Sequence, residues 1–316
     1  MRPLRIAVVG AGHMGRLHAR TVAELACSEG SVELTGVADL DRARAEEVAR
    51  QSGAPAAVDF RELDADAAIV AVPTWAHHPV VGGLLEAGLD VLVEKPIAAT
   101  VEQAESLLAT ARSRQRVFAV GHLEWYNAAL RAMAPAIQRP RFVEAHRMGP
   151  FPGRATDVDI VRDLMIHDID VVQRLVGEEP ESVEGIGVPV ISSEIDIANA
   201  RLRFPGGCIA NFTASRVSPT PMRKVRFFQA DGYFSVDFLA QSAVILRRRL
   251  GPDGEPRIDV EPMHFDPEDA LAAQLRGFLA AVRARADLEG SAAAGLRALR
   301  TALRVIDSLP ALEALR

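Results

Sequence analysis

Apolar residues follow two different rhythms along this chain. Over the first 120 residues, short unbroken apolar runs alternate with amphipathic stretches. The runs Arg5–Val9, Glu33–Ala38, Ala67–Val72, Asp90–Glu94 and Arg116–Val120 predict strands. The stretches His13–Ala26, Asp41–Gln51, His77–Ala87 and Val101–Ala111 predict the helices between them. Strand, helix and strand at this spacing give βαβ units, hence an α/β domain with a doubly wound parallel sheet. The stretch Ala67 to Val72 is apolar without alternation, as a central strand covered on both faces should be.

After Gly121 the rhythm changes. A helical stretch, Asn127–Ile137, leads to a strand-like Arg141–Arg147, a Pro/Gly loop at Gly149–Gly153 and a strong helix over Asp159–Val176. Then come strand patterns at Ser182–Val188, Ile195–Phe204, Cys208–Ala214, Lys224–Gln229, Tyr233–Phe238 and Ala243–Arg248, split by turns such as Pro205-Gly206-Gly207 and Ala230-Asp231-Gly232. Successive strands with short turns predict a mostly antiparallel sheet, so this half reads as an α+β domain. Two helices, Pro267–Ala286 and Ser291–Leu309, close the chain. The expected domains are 1–121 and 122–316, with the last helices free to pack back on the first domain.

Composition narrows the classes. A chain of 316 residues suits two cores, and 49% hydrophobic with 25% charged residues is ordinary for a globular protein. A net charge of −6 argues against nucleic acid as a partner. The two cysteines, Cys27 and Cys208, have no metal-type spacing and predict neither a metal site nor a disulfide framework. The apolar run at Ile6–Val9 is too short for a signal peptide, and no stretch approaches the ~20 apolar residues of a membrane span. The expected compartment is the cytoplasm. Of the 36 basic residues only Lys95 and Lys224 are lysines. Where arginine serves almost everywhere, a lysine is a candidate for a task that guanidinium cannot perform, such as proton exchange. Chance survival is the plain alternative.

The first strand runs into Gly10-Ala11-Gly12-His13-Met14-Gly15 and a helix. Gly10 permits the tight turn, Gly12 lets backbone approach a pyrophosphate, and Gly15 lets helix and strand pack closely. The helix N-terminus faces the negative charge. Asp39 ends the second strand 24 residues after Gly15, where a carboxylate bonds a ribose 2′-hydroxyl and repels a 2′-phosphate. That pattern predicts NAD, with Arg42 and Arg44 able to soften the preference. A solvated turn and an S-adenosylmethionine site are the competing readings.

Two further features carry chemistry. Strand Val91–Val93 ends in Glu94-Lys95-Pro96 at the sheet's carboxyl edge, where such folds place ligands. In the helix after Asp159, Asp163, His167 and Asp170 fall on one polar stripe at 100° per residue. Imidazole with a carboxylate one turn away suits general acid–base work near neutral pH. A core histidine, or a metal site completed by a third ligand, would use the same residues.

With these motifs the chain resembles the glucose–fructose oxidoreductase / inositol dehydrogenase (Gfo/Idh/MocA) family from end to end. Ala71-Val72-Pro73-Thr74 with His77, and Gly121-His122, also match its pattern. The resemblance implies a Rossmann domain followed by an open, mostly antiparallel sheet, and a homo-dimer or homo-tetramer. It implies NAD held by Gly10, Gly12, His13, Met14, Gly15, Asp39, Pro73, Thr74, His77, Glu94 and Lys95. It further implies a sugar-type substrate contacted by Lys95, His122, Arg147, Arg154, Asp163 and His167. In that scheme Lys95 polarises the reacting hydroxyl, His167 takes its proton, and Asp163 contacts substrate or histidine. A cis Lys95–Pro96 peptide belongs to the same expectation.

The second half is similar to one branch of the family, which oxidises C3 of UDP-N-acetylglucosamine on the way to the diamino sugar of lipid A. The matching segments are His146 to Arg154, Asp163 to Asp170, Asp196 to Arg201 and Asn211 to Arg216. A pathway aminotransferase would take the product. Arg147, Arg154, Arg216 and Arg223 fall in or beside predicted loops, and arginine forks suit a diphosphate; structural ion pairing competes. Where the family reads Gly-His-x-Glu-Arg-Phe-Asn, this chain has Gly121-His122-Leu123-Glu124-Trp125-Tyr126-Asn127, and the indole is expected to reshape the pocket's edge. Two other functions stay open. A dehydrogenase of a free cyclitol or simple sugar would need no diphosphate contacts. A non-catalytic NAD-bound sensor would keep Gly10, Gly12, Gly15 and Asp39 without needing Lys95 and His167 together.

Overall fold

The computed structural model describes residues 2–151, 159–265 and 268–310. The chain divides into two compact units, residues 1–122 with 271–296, and residues 123–270 with the chain from 297 onward.

In the first unit, among the described residues, six parallel strands form a sheet in the order β3-β2-β1-β4-β5-β6. They are β1 (Leu4–Val9), β2 (Val32–Ala38), β3 (Ala56–Ala57), β4 (Ala67–Val70), β5 (Asp90–Glu94) and β6 (Phe118–Gly121). Helices α1 (His13–Glu29), α2 (Arg42–Ser52), α3 (Thr74–Glu86) and α4 (Val101–Ser113) connect them. Every residue of β4 and β5 is buried, which explains their unbroken apolar runs. Two residues of β3 are too few to leave a pattern, and the sequence reading missed them. Strand order reverses between β1 and β4, so the crevice at their carboxyl ends is the switch point where open α/β sheets bind ligands. Helix α7 (Ala270–Ala284) belongs to this unit, as does the first part of α8 (Ser291–Ser308). The Ser291 hydroxyl accepts the Val120 N–H at 3.0 Å, satisfying a donor on edge strand β6.

The second unit holds an eight-stranded sheet among the described residues. Its strands are β7 (Phe142–Met148), β8 (Ser182–Val188), β9 (Ile197–Arg203), β10 (Ile209–Ser215), β11 (Met222–Gln229), β12 (Gly232–Asp237), β13 (Ser242–Leu250) and β14 (Pro256–His264). They lie in the order β14-β13-β12-β11-β7-β10-β9-β8. All pairs are antiparallel except β7 with β10. Phe204, Phe212, Phe227 and Phe234 form the buried centre, together with residues of α5 (Ala128–Met133) and α6 (Ile166–Val176). Strand β14, absent from the sequence reading, lies at the sheet's edge, is exposed at all but one position and carries two prolines, Pro256 and Pro262. It has no buried face to imprint a period, and prolines are tolerated on edges.

Trp125 packs against the core, and the Arg174 guanidinium lies 4.9 Å from its ring centroid.

Asp196, just before β9, is fully buried. Its carboxylate accepts the N–H groups of Val190, Ile191 and Ser192 at 2.6–2.8 Å and the Ser192 hydroxyl at 2.6 Å. Arg216 pairs with it at 3.2 Å. Burial alone would raise its pKa, but the Ser192 hydroxyl and the main-chain donors outweigh burial and hold it down to about 2. A depressed carboxylate stabilises the fold above its ordinary value of 3.8, and that stability drains away as pH falls through about 2. Asp196→Asn is therefore expected to cost about 2 kcal/mol at neutral pH and to flatten the stability profile between those values. Urea unfolding at stepped pH measures both. A variant as stable as wild type at pH 7 would contradict the assignment.

Candidate active site

The glycine turn fits a dinucleotide for steric reasons that can be read atom by atom. Gly10 has φ +98°, and a Cβ there would sit 2.5 Å from the Ala71 carbonyl oxygen. A Cβ on Gly15 would lie 1.7 Å from the Gly10 oxygen, so only glycine lets α1 pack this close. A Cβ on Gly12 would meet nothing within 4 Å, which leaves the approach open for a phosphate. Gly12 is also the N-cap of α1 and supplies no side-chain acceptor, so the first N–H groups, those of His13 and Met14 among them, are offered to a ligand. Pro73 and Thr74 begin α3 just beyond the carboxyl end of β4.

Asp39 follows β2, with both carboxylate oxygens oriented by main-chain donors. The Ala11 N–H reaches one at 2.7 Å and the Asp41 N–H the other at 2.9 Å. Arg44 stands 4.0 Å from Asp39 and 3.5 Å from Asp41, while Arg42 pairs with Glu46 at 2.9 Å. Each arginine thus has an acidic neighbour, and the fixed carboxylate dominates the edge that a ribose would meet.

Lys95 leaves the carboxyl end of β5, and its peptide bond to Pro96 is cis. Its neighbour Glu94 is buried, with Oε1 2.7 Å from Nε2 of His18 and Oε2 accepting the Lys95 main-chain N–H at 3.3 Å. His77, predicted to contact cofactor, is buried with Nδ1 2.8 Å from the Pro96 oxygen and Nε2 2.9 Å from the Val72 oxygen. A neutral ring has one N–H and donates to one of these carbonyls, and it lies between the segments that follow β4 and β5. Burial pushes its pKa below the ordinary histidine range, against the two carbonyls, which favour the protonated ring. His122, one residue past β6, is buried, and its main-chain N–H donates to the Val120 oxygen at 2.9 Å. Lys224, the other lysine, pairs across strands with Asp237 at 3.0 Å and is a structural residue.

In the second unit the predicted stripe is broken. Val161–Met165 forms a π-helical turn ahead of α6, so the 100° period assumed for a regular helix does not hold. Asp163 and His167 are half-buried, whereas Asp170 is buried and held by Arg174 at 2.9 and 3.0 Å. Asp170 belongs to the core, and Asp163 with His167 is what remains as an acid–base candidate. A π turn at such a place is a common mark of a functional site. Among the described residues no group of three or more His, Cys, Asp or Glu side chains is arranged to hold a metal.

The four arginines considered for a diphosphate separate sharply. Arg147 lies on β7, only 3% exposed. It donates to Asp168 at 2.9 and 3.1 Å and to Glu124 at 2.7 Å. Burial opposes its charge, but the two carboxylates outweigh burial and raise its pKa. Arg216 is buried with Asp196 and the Ile195 carbonyl. For these two, structural ion pairing accounts for the contacts seen. Arg223, on β11, has its side chain 48% exposed and lies 3.8 Å from Glu124. Arg154 lies outside the described residues. One residue passed unnoticed in the sequence: His18, whose signal was a histidine on the buried face of α1 beside Gly15, Ala19 and Val22.

Comparison with known proteins agrees with this architecture. Residues 4–122 match the oxidoreductase family with an NAD-binding Rossmann fold, and residues 133–235 match the GFO/IDH/MocA C-terminal domain. The chain is 37% identical over 306 residues to a UDP-N-acetylglucosamine 3-dehydrogenase of Acidithiobacillus ferrooxidans, covering 96% of each chain. It is 26% identical over 325 residues to an inositol 2-dehydrogenase of Rhizobium meliloti, covering 97% of each. A solved structure of the Acidithiobacillus ferrooxidans enzyme superposes with a TM-score of 0.91 at 35% identity, covering 100% of this chain and 99% of that one. The scyllo-inositol dehydrogenase of Lactobacillus casei, solved with NAD(H) and scyllo-inositol, shares the fold with a TM-score of 0.81 at 19% identity, covering 97% of each. The chain belongs to the GFO/IDH/MocA family and is an NAD-dependent oxidoreductase.

Proposed function

We propose that the protein oxidises a secondary alcohol of a nucleotide sugar, at C3 of UDP-N-acetylglucosamine, to the 3-keto sugar. The observation that carries this reading is the 37% identity, over 96% of both chains, to an enzyme named for that reaction. The glycine cradle and Asp39 hold NAD, which when bound accepts the carbon-bound hydrogen as hydride. Lys95 donates a hydrogen bond to the reacting hydroxyl and steadies the oxygen as negative charge develops. His167 takes the hydroxyl proton, and Asp163, one turn before it, supports the imidazolium that results. His122 contacts the sugar. The diphosphate engages Arg223 and Arg154, since Arg147 is already paired with Asp168 and Glu124, and Arg216 with Asp196 and the Ile195 carbonyl. Arg147 then serves by holding Glu124 in place. We extend the reading to a cytoplasmic homo-dimer or homo-tetramer that passes its ketone to an aminotransferase.

The test follows NADH absorbance with UDP-sugars beside inositols and free hexoses. UDP-N-acetylglucosamine should be oxidised with the highest kcat/KM, and Arg223→Ala should lower that value by about tenfold while sparing any free sugar. Oxidation of free cyclitols with no turnover of UDP-sugars would replace this reading with the cyclitol one.

A further inference from the structure

The Rossmann unit contains a buried pair that the reaction above does not use. Nε2 of His18 lies 2.7 Å from Oε1 of Glu94, and His18 is 1% exposed. Among the described residues Nδ1 of His18 is buried with no hydrogen-bond partner. A proton on Nδ1 would be a donor sealed away without an acceptor, so the ring proton belongs on Nε2, where it donates to the carboxylate. The other carboxylate oxygen accepts the N–H of Lys95. At the end of β6, a Cβ on Gly121 would lie 3.0 Å from the same carboxyl group, closer than ordinary contact. Three segments therefore converge on one carboxylate: α1 three residues after Gly15, the end of β5 and the end of β6.

We infer that Glu94 and His18 are positioning residues for Lys95, acting through the main chain that carries it. The imidazole N–H holds one oxygen of Glu94, which leaves the other directed at the Lys95 N–H. Once released from His18, the carboxylate is free to turn towards the ammonium of the adjacent lysine and to occupy the donor that the substrate hydroxyl requires. Because α1 begins at the pyrophosphate turn, the pair also ties the lysine to the helix that carries the cofactor. This rests on the reading of Lys95 as the group that polarises the hydroxyl.

The experiment compares His18→Leu, which removes the N–H, with His18→Gln, which restores an amide N–H of similar reach. The substrate is the alcohol that wild type oxidises best in the screen above. His18→Leu should lower kcat by about tenfold or more while KM for alcohol and NAD stays within about twofold. His18→Gln should recover most of the loss. Gly121→Ala, which pushes the carboxylate from the opposite side, should reproduce the kcat-only defect, and it carries the comparison if His18→Leu does not fold. A wild-type kcat in a folded His18→Leu or Gly121→Ala enzyme would overturn the inference, as would equal losses in the Leu and Gln variants. Lys95→Met is the control. If it turns over normally, the reading of Lys95 is at fault; if it is inactive while His18→Leu is fully active, only the positioning role is lost.

Discussion

Replacing Arg147 by alanine lowers the stability of the protein by about 3–5 kcal/mol, among the largest effects expected of any single change in the second unit. The guanidinium is buried, and its Nε, Nη1 and Nη2 donate to Asp168 and Glu124. Deleting it strands the buried Asp168 carboxylate and leaves the part-buried Glu124 with only the longer contact to Arg223 at 3.8 Å. Lysine is no substitute, since one ammonium cannot reproduce a fork that serves two acceptors. Arg147→Met should be nearly as damaging as alanine, because the missing term is charge rather than volume. Arg147→Met combined with Asp168→Leu should recover part of the loss by removing the stranded carboxylate. Chemical denaturation of the single and double variants measures this. An alanine variant within about 0.5 kcal/mol of wild type would show that the pair does not carry the local fold, and would return Arg147 to the list of substrate contacts.

Lys95→Met and His167→Ala should each reduce kcat by about 10²–10⁴-fold, with NAD affinity retained in His167→Ala and changed far less than kcat in Lys95→Met. Asp163→Asn should cost less, since the aspartate acts on the histidine or substrate rather than on the transferred proton. Steady-state rates with the best substrate, paired with NAD binding followed by fluorescence, separate loss of chemistry from loss of cofactor. Unaltered turnover in both Lys95→Met and His167→Ala would contradict the proposed mechanism. A wild-type protein that binds NAD yet oxidises no alcohol in the screen would favour the sensor reading.

The legibility of the chain varied with how local each feature's cause was. The parallel strands β1, β4 and β5 were found within two residues, because burial forces an apolar run and glycine or proline follows soon after each, while β2 was legible from its apolar second half. Asp39, Gly10 and Gly15 were equally plain, since the close packing and tight turn of one βαβ unit require both glycines and its first turn orients the carboxylate. Helix α3 began earlier than its apolar pattern, at Thr74, because Pro73 sets its entry. Strand β14 was invisible, being exposed along nearly its whole length.

The arginines mark the limit most clearly. From sequence, Arg147, Arg216 and Arg223 look alike, three cations near turns of the same domain. Their fates diverge because Asp168 and Asp196 reach Arg147 and Arg216 from distant parts of the chain, while Arg223 is left half exposed. The same holds for β7, which precedes β8, β9 and β10 in the chain yet pairs in parallel with β10 and antiparallel with β11.

By itself the sequence determined the fold class and the dinucleotide turn, because each follows from propensities and spacings within a few residues. Only the tertiary structure decided which charges are committed to one another and which remain available. Pairing depends on distance in space, and neither a histidine on α1 nor a carboxylate ending β5 announces that the two will meet at 2.7 Å.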